Sequence, residues 1–430
     1  MRNLEEVQVV VLMGGLGTRL KEYTKECPKS LVRVGSRPFF DYELELLKQW
    51  GFRRFLFLIG YQADMIEDYY GDGKGQGISI EYCMDGEKLL GTGGAVRRAL
   101  PYLDEDFLLI YGDSFMDINY EETVYRYYKG KETGSRALMT VLKNHDRFDK
   151  SNVIFEDGKI VLYDKHNTTP EMEYIDYGVC MYERALFEDY EEDKAFDIAE
   201  IQTALSKEGK LTAHVVTKRF YEIGSPESLH EFEEYTRYRF EEAHPAVFLD
   251  RDGVINEIVF NEDTELLDSA SNLSQFHMFP YAADTIKEIK DKGYYVFVVT
   301  NQPGAAKGKT SLLNLYDINT FLADTTPIDD IFMCIHYPTM QKLSKEPYLC
   351  KVCDCRKPKP GLLERACRKY NIDMSRSFMV GDSFTDVLCG QAMGVKTVLL
   401  GGMRCDVCDR LSGKKPDYIL NDLSEVTKII

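Results

Sequence analysis

No stretch of this 430-residue chain reaches the ~20 consecutive apolar residues of a membrane span. An export signal is not expected either. The opening segment MRNLEEVQVVVLMGG has only a short apolar run, broken by Gln8, and it leads into glycines instead of a cleavage site. Positive charge is scarce: 53 Lys and Arg face 71 Asp and Glu, for a net charge of −18. That balance argues against nucleic acid and anionic membranes as partners. Anionic small molecules stay open, because a few local cations reverse the potential inside a cleft. Repeats and low-complexity tracts are absent as well. Cysteine is not scarce. Eleven thiols without an export signal read as free thiols or metal ligands, not as a disulfide framework. The expected compartment is the cytoplasm, and a homo-oligomer is compatible with the sequence.

With 44% hydrophobic and 29% charged residues the composition is that of a soluble globular enzyme. The length exceeds what one core usually supports, so more than one domain is expected. Val7–Met13 is a continuous apolar run ending at glycines, the pattern of a buried parallel strand. Helical spacing over Phe39–Trp50, a strand over Arg54–Ile59, a helix over Gln62–Tyr70 and a strand over Phe107–Tyr111 continue the alternation. Ser135–Tyr182 changes to short strands and turns and reads as a β-rich, sugar-binding insertion. The polar stretch Glu227–Glu242 reads as a closing helix and linker. A second series then starts at Ala246–Asp250 and continues through Tyr294–Val299, Ile331–Ile335, Phe378–Gly381 and Lys396–Leu400. The predicted class is α/β in two domains, residues 1–240 and 245–430. Each is a mainly parallel sheet with helices on both faces and ligands at the strands' carboxyl ends.

The first candidate site is Gly14-Gly15-Leu16-Gly17-Thr18-Arg19 after that first strand. Its glycines let backbone N–H groups approach phosphate oxygens, and Arg19 and Lys29 add charge where pyrophosphate would leave. Turns alone explain many glycine loops. Here the loop is joined by Pro28-Lys29, Leu90-Gly91-Thr92-Gly93-Gly94 and Gly112-Asp113. That combination resembles the sugar-phosphate nucleotidyltransferase family, with its Rossmann-like fold, over about residues 7–235. The resemblance implies that Gly14, Gly15, Gly17, Thr18 and Arg19 hold a nucleoside triphosphate and that Lys29 contacts its phosphates. It implies that Gly91, Thr92 and Gly93 lie near base and sugar, that Asp113 binds Mg²⁺, that Lys165 meets the sugar 1-phosphate and that Gly178 passes close to the sugar ring. The bland reading of Gly178 is a strand irregularity. The family's second metal-binding Asp is replaced by Glu222, in Glu222-Ile223-Gly224-Ser225-Pro226. Glu still offers hard oxygen ligands, so the second-metal role is carried over to it; the competing reading is a capping or solvated residue.

The second candidate site is Asp250-Arg251-Asp252-Gly253, just past a buried strand. A phosphatase working through an acyl phosphate needs one carboxylate as nucleophile and another as acid and base; Asp250 and Asp252 are the candidates. Thr300 and Asn301 end a second strand and can hydrogen-bond phosphoryl oxygens, Arg356 and Lys357 supply cations, and Asp382 adds a Mg²⁺ carboxylate beside Asp250 and Asp252. The ordered set resembles the haloacid dehalogenase-like phosphatases over about residues 245–425. Cys334, His336, Cys353 and Cys355 make a closed tetrahedral set for structural Zn²⁺. Cys350 breaks that paired spacing and is left out, and Cys405 and Cys408 read as free thiols.

A zinc loop followed by Cys-Arg-Lys-Pro resembles the heptose 1,7-bisphosphate 7-phosphatases, and histidinol-phosphate phosphatases share much of it. The first half is similar to heptose 1-phosphate guanylyltransferases. Together they imply two activities on small molecules. The 7-phosphate of a heptose bisphosphate is removed first, and GMP from GTP is then joined to heptose 1-phosphate, with Mg²⁺ at both sites. Open alternatives are another sugar or nucleotide, such as an ADP-heptose route, with a histidinol-phosphate-like phosphatase, and a regulatory protein with an inert phosphatase-like domain. No short motif separates guanine from the other bases.

Overall fold

The computed structural model describes residues 3–15, 20–86, 90–156, 158–261, 265–401 and 415–430. It divides into two compact units, Met1–Thr236 and Arg237–Ile430. Gly17, Thr18, Arg19, Cys405 and Cys408 lie outside the described residues.

In the first unit the strands are β1 (Gln8–Leu12), β2 (Arg33–Val34), β3 (Arg37–Pro38), β4 (Arg54–Ile59), β5 (Ser79–Met84), β6 (Asp106–Tyr111), β7 (Ser114–Phe115), β8 (Ala137–Lys143), β9 (Val153–Glu156), β10 (Lys159–Tyr163), β11 (Tyr174–Glu183), β12 (Leu211–Val216) and β13 (Tyr221–Glu222). Its helices are α1 (Lys21–Thr24), α2 (Phe39–Trp50), α3 (Ala63–Tyr70), α4 (Gly91–Arg98), α5 (Tyr120–Glu132), α6 (Ala199–Lys207) and α7 (Pro226–Thr236). Nine strands form one sheet in the order β5-β4-β1-β6-β11-β8-β12-β10-β9. Strands β5, β4, β1 and β6 run parallel; β1, β4 and β6 carry the apolar runs of strands buried on both faces, while the edge strand β5 alternates. The β-rich stretch expected over Ser135–Tyr182 supplies strands β8–β11, which belong to this same sheet. Its longest strand, β11, pairs antiparallel with both β6 and β8, because Val179–Tyr182 is apolar on both faces and fits only a sheet interior. The core beneath gathers Val10, Leu56, Leu109, Met139 and Tyr182.

Glu227–Glu242 is not a single α-helix. α7 ends at Thr236, and Arg237–Glu241 makes a π-helical turn whose buried Arg239 donates to the Lys369 carbonyl at 3.2 Å and stacks on Tyr370.

The second unit contains β14 (Ala246–Leu249), the hairpin β15 (Val259–Asn261) and β16 (Leu266–Asp268), α8 (Ala282–Asp291), β17 (Tyr295–Asn301), α9 (Leu312–Thr325), β18 (Asp330–Cys334), α10 (Gly361–Lys369), β19 (Phe378–Gly381), α11 (Phe384–Ala392), β20 (Lys396–Leu400) and β21 (Tyr418–Leu420). Six of these strands form a parallel sheet, β18-β17-β14-β19-β20-β21. Side chains alternate across it. Val247, Leu249, Val296 and Val298 enter one core, while Ala246, Phe248, Tyr295, Phe297 and Val299 enter the other. Two cores explain why these strands carry no polar alternation. No described helix is long and apolar enough to cross a membrane.

Candidate active sites

In the first unit the polar groups collect past the carboxyl ends of β1 and β6 and at the amino end of the antiparallel β11. Gly14 and Gly15 leave β1 directly. Lys29 Nζ pairs with Asp113 Oδ2 at 2.6 Å. The ribbon of β7 and β13 sets Glu222 opposite Ser114, and Ile223 N donates to the Asp113 carbonyl at 3.1 Å, so Glu222 comes beside Asp113 from more than a hundred residues away. The fold thus brings together one cation and two carboxylates that the sequence suggested separately.

A second group centres on Asp197, which the sequence reading missed. Its two oxygens accept from Thr92 Oγ1 at 3.1 Å and from Lys165 Nζ at 2.9 Å. Burial raises the Asp197 carboxyl, but these donors and the Ala199 N–H hold it below the ordinary range. Gly91 and Gly93 have a packing reason to be glycine: a Cβ on Gly91 would lie 2.6 Å from the Phe196 carbonyl oxygen, and one on Gly93 would enter the Phe196 ring. Gly178 stands in the register shift of β11 with φ +92°, and its N–H donates to Asp176 Oδ1 at 3.0 Å. It is therefore a strand irregularity, and one that lies on the same edge of the sheet as Asp197.

In the second unit Lys357 is the hub. It is 3% exposed, and its ammonium lies 2.9 Å from Asp250 Oδ1 and 2.6 Å from Asp386 Oδ1 while donating to the Val299 carbonyl at 2.8 Å. Asn301 clamps the Lys357 backbone, accepting its N–H at 3.0 Å and donating to its carbonyl at 3.1 Å. Asp386 was also missed. The spacing Gly381-Asp382-x-x-x-Asp386 was its signal, since four residues span one turn of α11. The same carboxylate accepts from Ser383 Oγ at 2.6 Å and caps that helix. Asp252 accepts from Gln302 Nε2 at 2.6 Å, from Asn256 at 3.0 Å and from Arg251. Thr300 is 1% exposed and accepts from Gln302 at 2.8 Å.

Burial pushes the Asp250 carboxyl up to about 7, with Lys357 pulling against it and Asp386 adding to it. Burial, and then Asp386, brings Asp382 up to about 6. For Asp252 burial is outweighed by Arg251, Asn256 and Gln302, which hold it below the ordinary range. Oxygens of Asp250, Asp382 and Asp386 lie within 4.8 Å of one another. Both oxygens of Asp386 are taken, by Lys357 and by Ser383, whereas Oδ2 of Asp250 and the Asp382 carboxylate remain as hard ligands whose charged forms a divalent cation would favour. The cleft above them encloses about 330 Å³. Lys307 and Arg356 stand in its wall, and among the described residues neither pairs with a carboxylate; both lie over the Tyr337 ring.

Next to Lys357 the four predicted soft ligands do converge. Sγ of Cys334 and Cys353 are 3.7 Å apart and those of Cys353 and Cys355 3.3 Å, while His336 Nδ1 lies 3.3 Å from Cys355 and 3.9 Å from Cys334. A tetrahedral zinc centre has S–S edges of about 3.8 Å and S–N edges of about 3.6 Å from its bond lengths. The donor set fits such an ion. Cys350 stands outside it and donates to the Ala306 carbonyl at 3.4 Å.

Known proteins match both halves. The nucleotidyl transferase family model covers residues 8–238, and a HAD-hydrolase-like model covers residues 354–426. A D-glycero-alpha-D-manno-heptose 1-phosphate guanylyltransferase of Campylobacter jejuni is 28% identical over 53% of this chain and 98% of its own length. A D-glycero-beta-D-manno-heptose-1,7-bisphosphate 7-phosphatase of Haemophilus ducreyi is 32% identical over 43% of this chain and 97% of its own. The corresponding alpha-bisphosphate 7-phosphatase of Photorhabdus laumondii is 38% identical over 36% of this chain and 80% of its own. The chain therefore belongs to the nucleotidyl transferase family in its first half and to the HAD-like phosphatases in its second. It is an enzyme with two catalytic units, and its phosphatase family implies use of a divalent metal.

Two outcomes follow for the second unit. Asp386→Ala leaves a buried Lys357 half-paired and removes a helix cap, so it should cost about 3–5 kcal/mol in urea unfolding of this unit; a loss under 1 kcal/mol would argue against the buried pair. Asp250 and Asp382 hold their protons more tightly folded than at the unfolded carboxylate value of about 3.9. The folded unit then binds more protons than the unfolded chain between about pH 4 and 7, and stability falls as pH rises through that window. Mg²⁺ favours the ionised forms, so it should raise Tm more at pH 8 than at pH 5. Equal shifts at the two pH values would count against these carboxylates as its ligands.

Proposed function

We propose that this protein carries out two consecutive steps on one metabolite. Its second unit hydrolyses the 7-phosphate of D-glycero-D-manno-heptose 1,7-bisphosphate. Its first unit then transfers GMP from GTP to the heptose 1-phosphate, giving GDP-heptose and pyrophosphate. The observation that carries this reading is the pair of relatives matched by one chain, because taking the 7-phosphate from the alpha bisphosphate named for one leaves the alpha heptose 1-phosphate named for the other. The cleft adds support. Lys357 is spent on Asp250 and Asp386, yet Lys307 and Arg356 remain in the wall, more cationic charge than one phosphate needs. Expected partners are these small molecules only.

In the phosphatase step an ionised Asp250 oxygen attacks phosphorus, and Asp252, which must first take up a proton as the phosphate monoanion binds, passes it to the departing C7 oxygen. Asp252 next takes a proton from water, which attacks the phosphoaspartate and frees phosphate and Asp250. Arg356, Thr300 and Asn301 are assigned to the phosphoryl group, Asn301 in part by fixing Lys357. Mg²⁺ held by Asp250, Asp252 and Asp382 would neutralise the phosphoryl charge. Zn²⁺ on Cys334, His336, Cys353 and Cys355 would hold the loop that carries Arg356 and Lys357; four protein ligands leave no position for water.

In the transfer step an oxygen of the sugar 1-phosphate attacks the α-phosphorus of GTP, and pyrophosphate leaves without a covalent intermediate. Gly14, Gly15, Gly17, Thr18, Arg19 and Lys29 are assigned to the triphosphate. Lys165, with Asp197 and Thr92 behind it, is assigned to the sugar phosphate, Gly91 and Gly93 to the loop that carries Thr92, and Gly178 to the ring. Mg²⁺ on Asp113 and Glu222 would release Lys29 from its carboxylate for the phosphates. One chain running both steps needs one anomer, and the guanylyltransferase relative is named for the α form.

Asp250→Asn should abolish phosphate release and keep pyrophosphate release from supplied heptose 1-phosphate and GTP. Loss of both in a folded variant would contradict two separate sites. Zinc removal should lower the Tm of the phosphatase unit by several degrees, since structural metal contributes folding energy; an unchanged Tm after verified removal would refute the zinc assignment.

A further inference from the structure

One buried carboxylate of the first unit has no part in the steps above. Glu43 stands among the buried positions of α2, with Phe39, Phe40, Leu46 and Leu47, and is 0% exposed. A leucine would bury there without the cost of taking a carboxylate out of water. The carboxylate instead holds two donors. Its Oε2 accepts from the Met116 N–H at 2.9 Å and its Oε1 from the Tyr120 hydroxyl at 2.6 Å. Met116 and Tyr120 are sealed as well, so both hydrogen bonds are shielded from water.

Met116 is the first residue beyond β7, and β7 leads directly on from Asp113. β7 pairs with β13, which sets Glu222 opposite Ser114. Fixing Met116 therefore fixes the end of the ribbon that brings the two carboxylates together. The Met116 sulfur lies against Gly178, where a Cβ would come within 3.6 Å of it. The first turn of α2 serves the cation. Phe39 N donates to the Val32 carbonyl at 2.8 Å, and Val32 N donates to the Lys29 carbonyl at 3.2 Å. Glu43 follows Phe39 by one turn. Helix α2 thus joins the segment that carries Lys29 to the segment that carries Asp113, and Glu43 makes the second half of that joint. The groups so gathered, two carboxylates from one ribbon, are the hard oxygen donors that Mg²⁺ takes.

We propose that Glu43 is a positioning residue for nucleotidyl transfer: it holds Met116 and Tyr120 so that Asp113 and Glu222 stand ready, beside Lys29, for a divalent cation. This rests on the transfer reading above. The test is calorimetric titration of GTP into the intact protein with and without Mg²⁺, with pyrophosphate release from heptose 1-phosphate followed alongside. In Glu43→Leu the Met116 N–H loses its acceptor and the ribbon end shifts. The tightening of GTP by Mg²⁺ should then fall about tenfold, while affinity without Mg²⁺ stays within about twofold. The transfer kcat should fall about tenfold or more, with phosphate release from the bisphosphate unchanged. Glu43→Gln should restore both readouts. Its amide oxygen accepts from Met116 and its amide N–H donates to the Tyr120 oxygen, whose proton turns to the Met116 carbonyl 3.2 Å away. Where Glu43→Leu does not fold, Tyr120→Phe decides, because it deletes one hydroxyl and keeps the ring. A loss of about threefold in the Mg²⁺ effect is expected there, and no loss overturns the inference. A Glu43→Leu protein that melts lower but keeps the full Mg²⁺ effect, or a Glu43→Gln protein no better than Glu43→Leu, overturns it too. Any of these results beside normal transfer by the unaltered protein overturns this inference alone. Release of no pyrophosphate from any triphosphate by the unaltered protein overturns the transfer reading and this one with it.

Discussion

A buried lysine held between two carboxylates organises the second half of this protein. Lys357 is almost sealed from solvent, so its charge must be met within the fold, and Asp250 and Asp386 meet it. Removing either carboxylate leaves an uncompensated interior charge. The surroundings follow from that constraint. Asn301 fixes the Lys357 backbone from the end of β17, Val299 offers a carbonyl, and α11 starts where Asp386 can both cap it and reach the ammonium. The cysteine and histidine cluster ends two residues before Lys357, which ties the loop bearing this charge to a fixed point. The site is therefore assembled before substrate arrives, as electrostatic catalysis of phosphoryl transfer requires.

The first unit solves a related problem with a looser pair. Lys29 and Asp113 lie 2.6 Å apart but are 14% and 33% exposed, so parting them costs far less than parting Lys357 from its carboxylates. An ion pair so lightly held is one that an incoming anion and cation can each part by taking over one member. The same edge of the sheet gathers Asp197, Lys165 and Thr92.

Much of this was legible in the sequence, for identifiable reasons. Parallel strands buried on two faces give unbroken apolar runs, so β1, β4, β19 and β20 stand out with bounds correct to within a residue or so. Asp250, Asp252 and the four soft ligands are visible because their chemistry depends on short spacings. The missed residues depend on distance instead. Asp197 acquires meaning only when Lys165, thirty-two residues earlier, folds onto it. Asp386 resembles an ordinary helix cap until Lys357 is known to lie against it. The segment 135–182 is legible as β-rich, but its place in the main sheet is not, because antiparallel pairing of β11 with β6 and β8 leaves no local mark; only the apolar run at its end hints at a central strand.

The central claim is that two sites act in a fixed order on one compound. It is tested most directly by supplying heptose 1,7-bisphosphate and GTP to the intact protein with Mg²⁺ and following phosphate and pyrophosphate separately in time. Phosphate should appear at once and without any need for GTP, and pyrophosphate should follow after a lag, never exceeding it. Pyrophosphate released ahead of phosphate, or in its absence, would contradict the account.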